Sequence, residues 1–418
     1  MSRRLRAVAS VLLFLALAGG GVGLAYVIDR IIFGGGNESA PVTTAVGTVA
    51  PPPATTAGPP VREEPWPLFG GDLRRTDAPA GVDLRPPFRK LWTLRAGSLL
   101  EFPPVVAYNR LYFGSNSGVL RAVDVLTGEV AWEKRFGRCI AASPAVADGV
   151  LYQPLMDPAP CSQHDEAAPG FLVALDADTG KGLWRFKAGV NESPPLVARG
   201  MVFFGTWDGK VYALDASTHK PVWTYQTGDK VKGGAAYSKG TIYIGSYDGK
   251  IYALEAATGS LRWEGVATSG GGFYATPAVA RGKVYAGSTD RNVYAFDAAS
   301  GRLAWSHPTG GFVYSAAAAW KKTVYVGSYD GKLYALDADT GEERWTFDAG
   351  GEISGAPVVL AGVVYVSTLA RKTFALDAKT GKQVWAFPDG QYTPVVADGE
   401  RVYLTGYARV YGLQPKQG

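Results

Sequence analysis

Apolar and polar positions alternate over short runs along most of this chain, and the runs return in a fixed order. Val324-Tyr325-Val326 and Leu333-Tyr334-Ala335-Leu336 are β-rich, and the Tyr329-Asp330-Gly331 between them carries the Asp-Gly signature of a hairpin. A second reversal follows at Asp339-Thr340-Gly341, where glycine supplies the positive φ of a tight turn. Trp345 then closes the unit, placed by the pattern at the end of its outermost strand, and Pro357-Val358-Val359 opens the next unit. Each unit is thus predicted to hold four strands: A (Pro-Val-Val), B (Tyr-Val-Gly-Ser), C (Leu-Tyr-Ala-Leu-Asp) and D, which carries the tryptophan. The same hairpin signal recurs at Trp207-Asp208-Gly209 and Tyr247-Asp248-Gly249.

Eight tryptophans mark the repeat: Trp92, Trp132, Trp184, Trp223, Trp263, Trp305, Trp345 and Trp385, at intervals of 40, 52, 39, 40, 42, 40 and 40 residues. That period suits one four-stranded propeller blade. A lone blade would expose two apolar faces, so such an array is stable only when closed. The ends of the chain predict how it closes. Pro394-Val395-Val396, Val402-Tyr403-Leu404 and Val410-Tyr411-Gly412-Leu413 supply A, B and C of a last blade without a D strand, and Lys90-Leu91-Trp92-Thr93-Leu94 is a D strand without its partners. Joining them predicts an all-β, eight-bladed propeller over 66–418.

The first residues read differently. Ala7 to Ile28 is an uncharged apolar stretch of 22 residues, close to the ~20 that cross a hydrocarbon core as a helix. Arg3, Arg4 and Arg6 precede it, which predicts a cytoplasmic N-terminus and an exported remainder. Residues 1–33 are therefore expected to form a tip and a single transmembrane anchor at the cell membrane. Ala16-Leu17-Ala18 leaves a cleaved signal peptide as the alternative. Residues 34–65, rich in Pro, Thr, Ala and Gly, are expected to be an extended stalk. Net charge is +5, of which residues 1–65 contribute +1, and no basic run is interleaved with aromatics, so nucleic acid is not an expected partner.

The phrase Ala174-Leu175-Asp176-Ala177-Asp178-Thr179-Gly180 followed by Trp184 resembles the tryptophan-docking motif of the pyrroloquinoline-quinone (PQQ)-like eight-bladed propellers. It returns at Ala122 to Trp132, Ala335 to Trp345 and Ala375 to Trp385, with looser copies that carry Glu255, Ser300 or His219 at motif positions. The resemblance implies the fold and leaves two kinds of function open. One is a quinoprotein dehydrogenase holding PQQ and Ca²⁺; the other is a non-catalytic scaffold similar to the BamB subunit of outer-membrane β-barrel assembly, which binds partner proteins. The dehydrogenases typically carry adjacent cysteines, whereas Cys139 and Cys161 here are 22 apart. The chain is therefore closest to the BamB-like branch, with no cofactor expected and with envelope proteins or cell-surface components as partners.

Two places carry candidate chemistry. The repeat from Trp132 to Trp184 is about a dozen residues longer than the others, the excess replacing its B–C hairpin. In propellers the D–A crossings and B–C hairpins share one face, so Cys139 and Cys161 are expected to form a disulfide stapling this loop. A metal site from Asp157, His164, Asp165 and Glu166 is the rival reading. The other place is the channel mouth, formed by residues three before each A-strand proline or its equivalent: Glu101, Ala141, Glu192, Lys232, Tyr274, Tyr314, Ser354 and Gln391, with Asn191, Lys230, Phe102, Phe273 and Phe312 beside them. Glu101, Asn191, Glu192, Lys232, Tyr274, Tyr314 and Gln391 are the candidate ligand- or partner-binding residues. In the dehydrogenase alternative, Glu192 and Asn191 would approach Ca²⁺ and Glu101 would be the base; a sugar- or polyol-sensing funnel is a further alternative. His164, His219 and His307 are expected at the surface or in turns.

Overall fold

The computed structural model describes residues 65–159, 161 and 164–416. The expected membrane helix lies outside the described residues, as does the stalk up to residue 64; among the described residues no helix is long and apolar enough to cross a membrane. Pro65 to Gly418 forms one compact unit.

Eight four-stranded antiparallel sheets make up this unit. Blade 1 holds strands Val105–Ala107, Arg110–Ser115, Val119–Asp124 and Val130–Arg135, A to D from the axis outward. The ring closes as expected. Strand Phe88–Arg95 pairs antiparallel with Arg409–Pro415, from Phe88 opposite Pro415 to Arg95 opposite Arg409 with a register shift between Lys90 and Trp92, and completes blade 8. Apolar clusters fill the spaces between blades: Tyr243, Ile251 and Trp263 of blade 4 pack with Phe273, Val284 and Tyr294 of blade 5. Burying each such side chain contributes about 1.5–3 kcal/mol.

The tryptophan phrase works across that blade interface. Trp305 of blade 5 lies over the C–D turn of blade 6, donating its Nε1–H to the Ala338 carbonyl at 3.2 Å. Gly341 in that turn has φ +77°, and a Cβ there would meet the indole at 2.6 Å. Glycine is thus required twice, for the backbone and for the ring above it. Trp92, Trp132, Trp223, Trp263 and Trp345 repeat the arrangement. In the looser copy, His219 takes φ +62° and stacks on Trp184 at 4.7 Å. Trp385 has no following turn to meet, because the last C–D connection is the junction of the chain ends; it packs edge-on against Phe88 of the closing strand. One expectation is corrected: the tryptophan lies inside strand D and does not end it. Glu343–Asp348 continues three residues past Trp345, since Thr346, Phe347 and Asp348 still pair with Tyr334, Leu333 and Lys332.

The central channel is not open through the ring. Residues 66–77 run across it and bond to the inner strands by their backbone. The carbonyls of Trp66, Pro67, Leu73, Arg74, Thr76 and Asp77 accept the N–H groups of Val106, Val146, Tyr237, Val279, Ala319 and Val359, the middle residues of strand A in blades 1, 2, 4, 5, 6 and 7. The exposed inner edges of six sheets are thereby satisfied. Blade 3 is reached by a side chain instead: Arg75, fully buried, donates to the Pro194 and Pro195 carbonyls at 3.3 and 2.9 Å, to Ala235 O at 2.9 Å and to Phe69 O. The channel becomes a blind funnel, open on the face of the D–A crossings and B–C hairpins.

Candidate functional site

The funnel wall is built from two kinds of loop held together. In each hairpin the residue before the Asp-Gly pair donates its N–H to the neighbouring crossing: Trp207 to Val190 O, Tyr247 to Lys230 O and Tyr329 to Phe312 O. The hairpin aspartates tie down the same crossing, Asp248 and Asp330 each accepting a glycine N–H, Gly228 and Gly310, at 2.7 Å. The residues expected from the A-strand spacing are therefore joined on the wall by Trp207, Tyr247 and Tyr329, which the spacing had assigned to turns.

At the centre of one side stands Glu192, nearly buried. Its Oε1 accepts the Tyr274 hydroxyl at 3.0 Å, and its Oε2 accepts the Trp207 indole N–H at 2.9 Å and lies 3.3 Å from the Lys232 ammonium. Lys232 in turn stands 3.9 Å from the Trp207 ring centroid, with Tyr247 and Tyr274 at 5.7 and 5.8 Å, so its charge is held by one carboxylate and three aromatic faces. Burial, then the nearby carboxylates of Glu192 and Glu101, keep the Tyr274 hydroxyl well above its usual range and so protonated, as its donation to Glu192 requires.

Glu101 differs. Its single hydrogen-bond partner among the described residues is the Asn116 amide at 3.4 Å. Burial first, and the Glu192 charge second, push its carboxyl up to about 7, with Asn116, Lys232 and His164 acting in the opposite sense. Glu101, Ala141, Glu192, Lys232 and Tyr274 share a cavity of about 210 Å³ with Asn116, His164 and Trp207. A narrower, deeper space of about 50 Å³ adjoins it, where Tyr314, Ser354 and Tyr392 join Glu101 and Tyr274. Its floor is apolar, formed by Phe69 of the axial segment with Phe102, Ala316 and Ala356. Along one half of the rim the aromatic rings touch edge to face in sequence: Tyr247 to Tyr274 at 6.2 Å, Tyr274 to Tyr314 at 5.3 Å, Tyr314 to Tyr329 at 4.9 Å, and Phe312 beside Tyr314 at 6.0 Å.

Other expected residues lie apart. Asn191 is fully buried, its amide without a hydrogen-bond partner, and it lines neither space. Gln391 also lines neither, its place being taken by Tyr392. Phe273 is buried between blades against Tyr294 and Phe296. Phe312 is exposed on the rim, and Lys230 stacks over Trp207 while pairing with Glu166 at 2.6 Å.

The long loop of blade 2 spans the B and C strands Val150–Leu155 and Gly170–Asp176, and Cys139 and Cys161 form its disulfide. The acidic residues proposed as metal ligands serve the loop itself. Asp157, buried, holds His164 Nδ1 at 3.2 Å and accepts the Asp165 N–H at 2.7 Å, while Glu166 turns to Lys230. No group of three such side chains converges among the described residues. His307 is in a strand and contacts the Gly341 carbonyl at 3.1 Å.

Fold and docking motif together define an eight-bladed propeller of PQQ-like repeats. The sequence matches the family described as outer membrane protein assembly factor BamB over residues 83–158, 166–232, 221–319 and 308–418, and the chain belongs to that family. It is similar to the outer membrane protein assembly factor BamB of Burkholderia pseudomallei (strain K96243), 28% identical over 160 residues, 37% of this chain and 38% of that protein. It is also similar to the polyvinylalcohol dehydrogenase of Sphingopyxis sp. (strain 113P3), 31% identical over 142 residues, 34% of this chain and 20% of that protein. The chain thus spans well under half the length of these curated relatives. The crystal structure of BamB from Moraxella catarrhalis superposes with a TM-score of 0.65 at 22% identity, covering 78% of this chain and 100% of that one, a likeness of fold.

Proposed function

We propose that this protein is a non-catalytic binding scaffold of the cell envelope, tethered through its apolar N-terminal segment and engaging partner polypeptides through the funnel face. The observation that carries this reading is the commitment of Glu192. Its two oxygens already meet Tyr274, Trp207 and the Lys232 ammonium, so a Ca²⁺–quinone pair would have to displace a cation 3.3 Å away and break two hydrogen bonds. Asn191, the other oxygen donor expected for such an ion, is buried off the funnel. These residues do not fit that group. The rim suits a polypeptide better: Phe312 is exposed beside the tyrosine arc, the kind of aromatic surface that anchors interfaces. The names of BamB relatives support an envelope role.

The second reading, a PQQ- and Ca²⁺-dependent dehydrogenase, is favoured by the likeness to a polyvinylalcohol dehydrogenase. Dye reduction by purified protein supplied with PQQ, Ca²⁺ and a panel of alcohols that includes polyvinyl alcohol separates the two. The scaffold reading expects no saturable turnover; turnover that disappears in Glu192→Ala would replace it with the dehydrogenase.

A further inference from the structure

We propose that the funnel seats a cationic group, an ammonium or guanidinium, between the Glu101 carboxylate and the aromatic wall of Tyr274, Tyr314 and Tyr392. Charge is the first argument. Two carboxylates, one lysine and His164 line the funnel; Lys232 pairs with Glu192 and His164 with Asp157, which leaves Glu101 without an ion-pair partner among the described residues. The second argument is hydrogen bonding. Asn116 gives Glu101 a single long amide bond at 3.4 Å, and the Asn116 Oδ1 is itself buried with no donor among the described residues, so two neighbouring acceptors here are under-supplied with N–H groups. An ammonium or guanidinium brings donors and no acceptors.

The third argument is the wall. Tyrosine faces attract cations, by about 0.5–1 kcal/mol at exposed sites and about 2 or more when water is excluded. The funnel already holds one ammonium in this way, Lys232 against Trp207, Tyr247 and Tyr274. Below Glu101 the floor of Phe69, Phe102, Ala316 and Ala356 is apolar and the space narrow, about 50 Å³, which suits the methylene stem of a basic side chain. The groups that face Glu101 are Glu192, Lys232, His164, Tyr274, Tyr392 and Asn116. With its carboxyl titrating near 7, the site gains its negative charge between mildly acidic and mildly alkaline pH. This deepens the scaffold reading by naming what a partner would insert.

The test is ligand-observed saturation-transfer NMR with Nα-acetyl-lysine amide and its neutral isostere Nα-acetyl-norleucine amide, on the full chain. The expected result is transfer to the lysine compound at pH 8, lower at pH 5.5, and little to the norleucine compound. Loss of a charge-assisted contact in Glu101→Gln should weaken binding about tenfold. Equal signals from the two compounds on the wild-type protein would overturn the proposal whether or not the variant folds, and so would unchanged binding by a folded Glu101→Gln. The blocked peptide acetyl-Ala-Ala-Lys-Ala-Ala-amide distinguishes the sources: tighter binding than the amide assigns the cation to a partner's side chain, and equal binding to a small free amine. A protein that cross-links partners through Phe312 yet ignores charge keeps the scaffold reading and loses this one.

Discussion

Replacing Arg75 by methionine should cost the fold about 3–5 kcal/mol, although the residue belongs to no blade strand. The guanidinium is fully buried on the axis and donates to four backbone carbonyls, those of Phe69, Pro194, Pro195 and Ala235. Each charge-assisted bond contributes about 1.5–3 kcal/mol, and each carbonyl left unpaired costs about 1–3 kcal/mol. Against this stands the desolvation of a buried charge. Burial draws the Arg75 pKa down to about 9, with Asp77 and Asp72 opposing, so removing the charge returns several kcal/mol. Methionine retains most of the stem volume, which limits any cavity to the tip. The net loss should appear in urea unfolding as a lower midpoint with little change in slope, because a similar surface is exposed. A midpoint equivalent to less than about 0.5 kcal/mol of change, the range of an ordinary surface substitution, would refute the view that the axial segment braces the ring.

Three further outcomes follow from the same geometry. Gly341→Ala should destabilise by more than the ~1 kcal/mol of left-handed strain alone, because its Cβ meets Trp305 at 2.6 Å, whereas Gly240→Ala, at φ +80° with no heavy atom within 4 Å of its Cβ, should show the strain alone; paired urea titrations compare them. Glu101→Gln should raise the melting temperature at pH 8 and leave it nearly unchanged at pH 5. The sign follows from a carboxyl that burial raises from its usual 4.5 to about 7 in the folded state: the native state holds the extra proton between these values, so the wild type loses stability as pH rises from 4.5 through 7 and the amide does not. Replacing Cys139 and Cys161 together by serine should cost about 3 kcal/mol by loop-closure entropy, read as a shift in urea midpoint, because the bridge closes a loop of 22 residues.

The array was legible in the sequence because its signals are local and repeated. Gly341 and its counterparts are fixed by a turn and by the tryptophan above it, so composition alone marks the C–D reversal and the blade period. Ring closure was legible from what was missing, a D strand at one end and its partners at the other. The axial segment was not legible, because residues 66–77 bind the inner strands through backbone carbonyls, which leave no side-chain period. Arg75 carried no mark that separated it from a surface arginine. On the funnel wall, spacing from strand A found Glu101, Glu192, Lys232, Tyr274 and Tyr314, but assigned Trp207, Tyr247 and Tyr329 to turns. The available signal was a large aromatic before Asp-Gly at three hairpins, a position where a small polar residue would serve the turn equally well. Tyr392 in place of Gln391 is a one-residue shift in the crossing to blade 8.

Partners are expected to meet this propeller on the funnel face. Site-specific photo-cross-linking in intact cells tests it, with the probe at Phe312 on the funnel rim or at Lys239 in the A–B hairpin on the opposite face. The account predicts discrete adducts with envelope polypeptides from position 312 and none above background from 239. Adducts from 239 alone, or none from 312 in a folded protein, would contradict it.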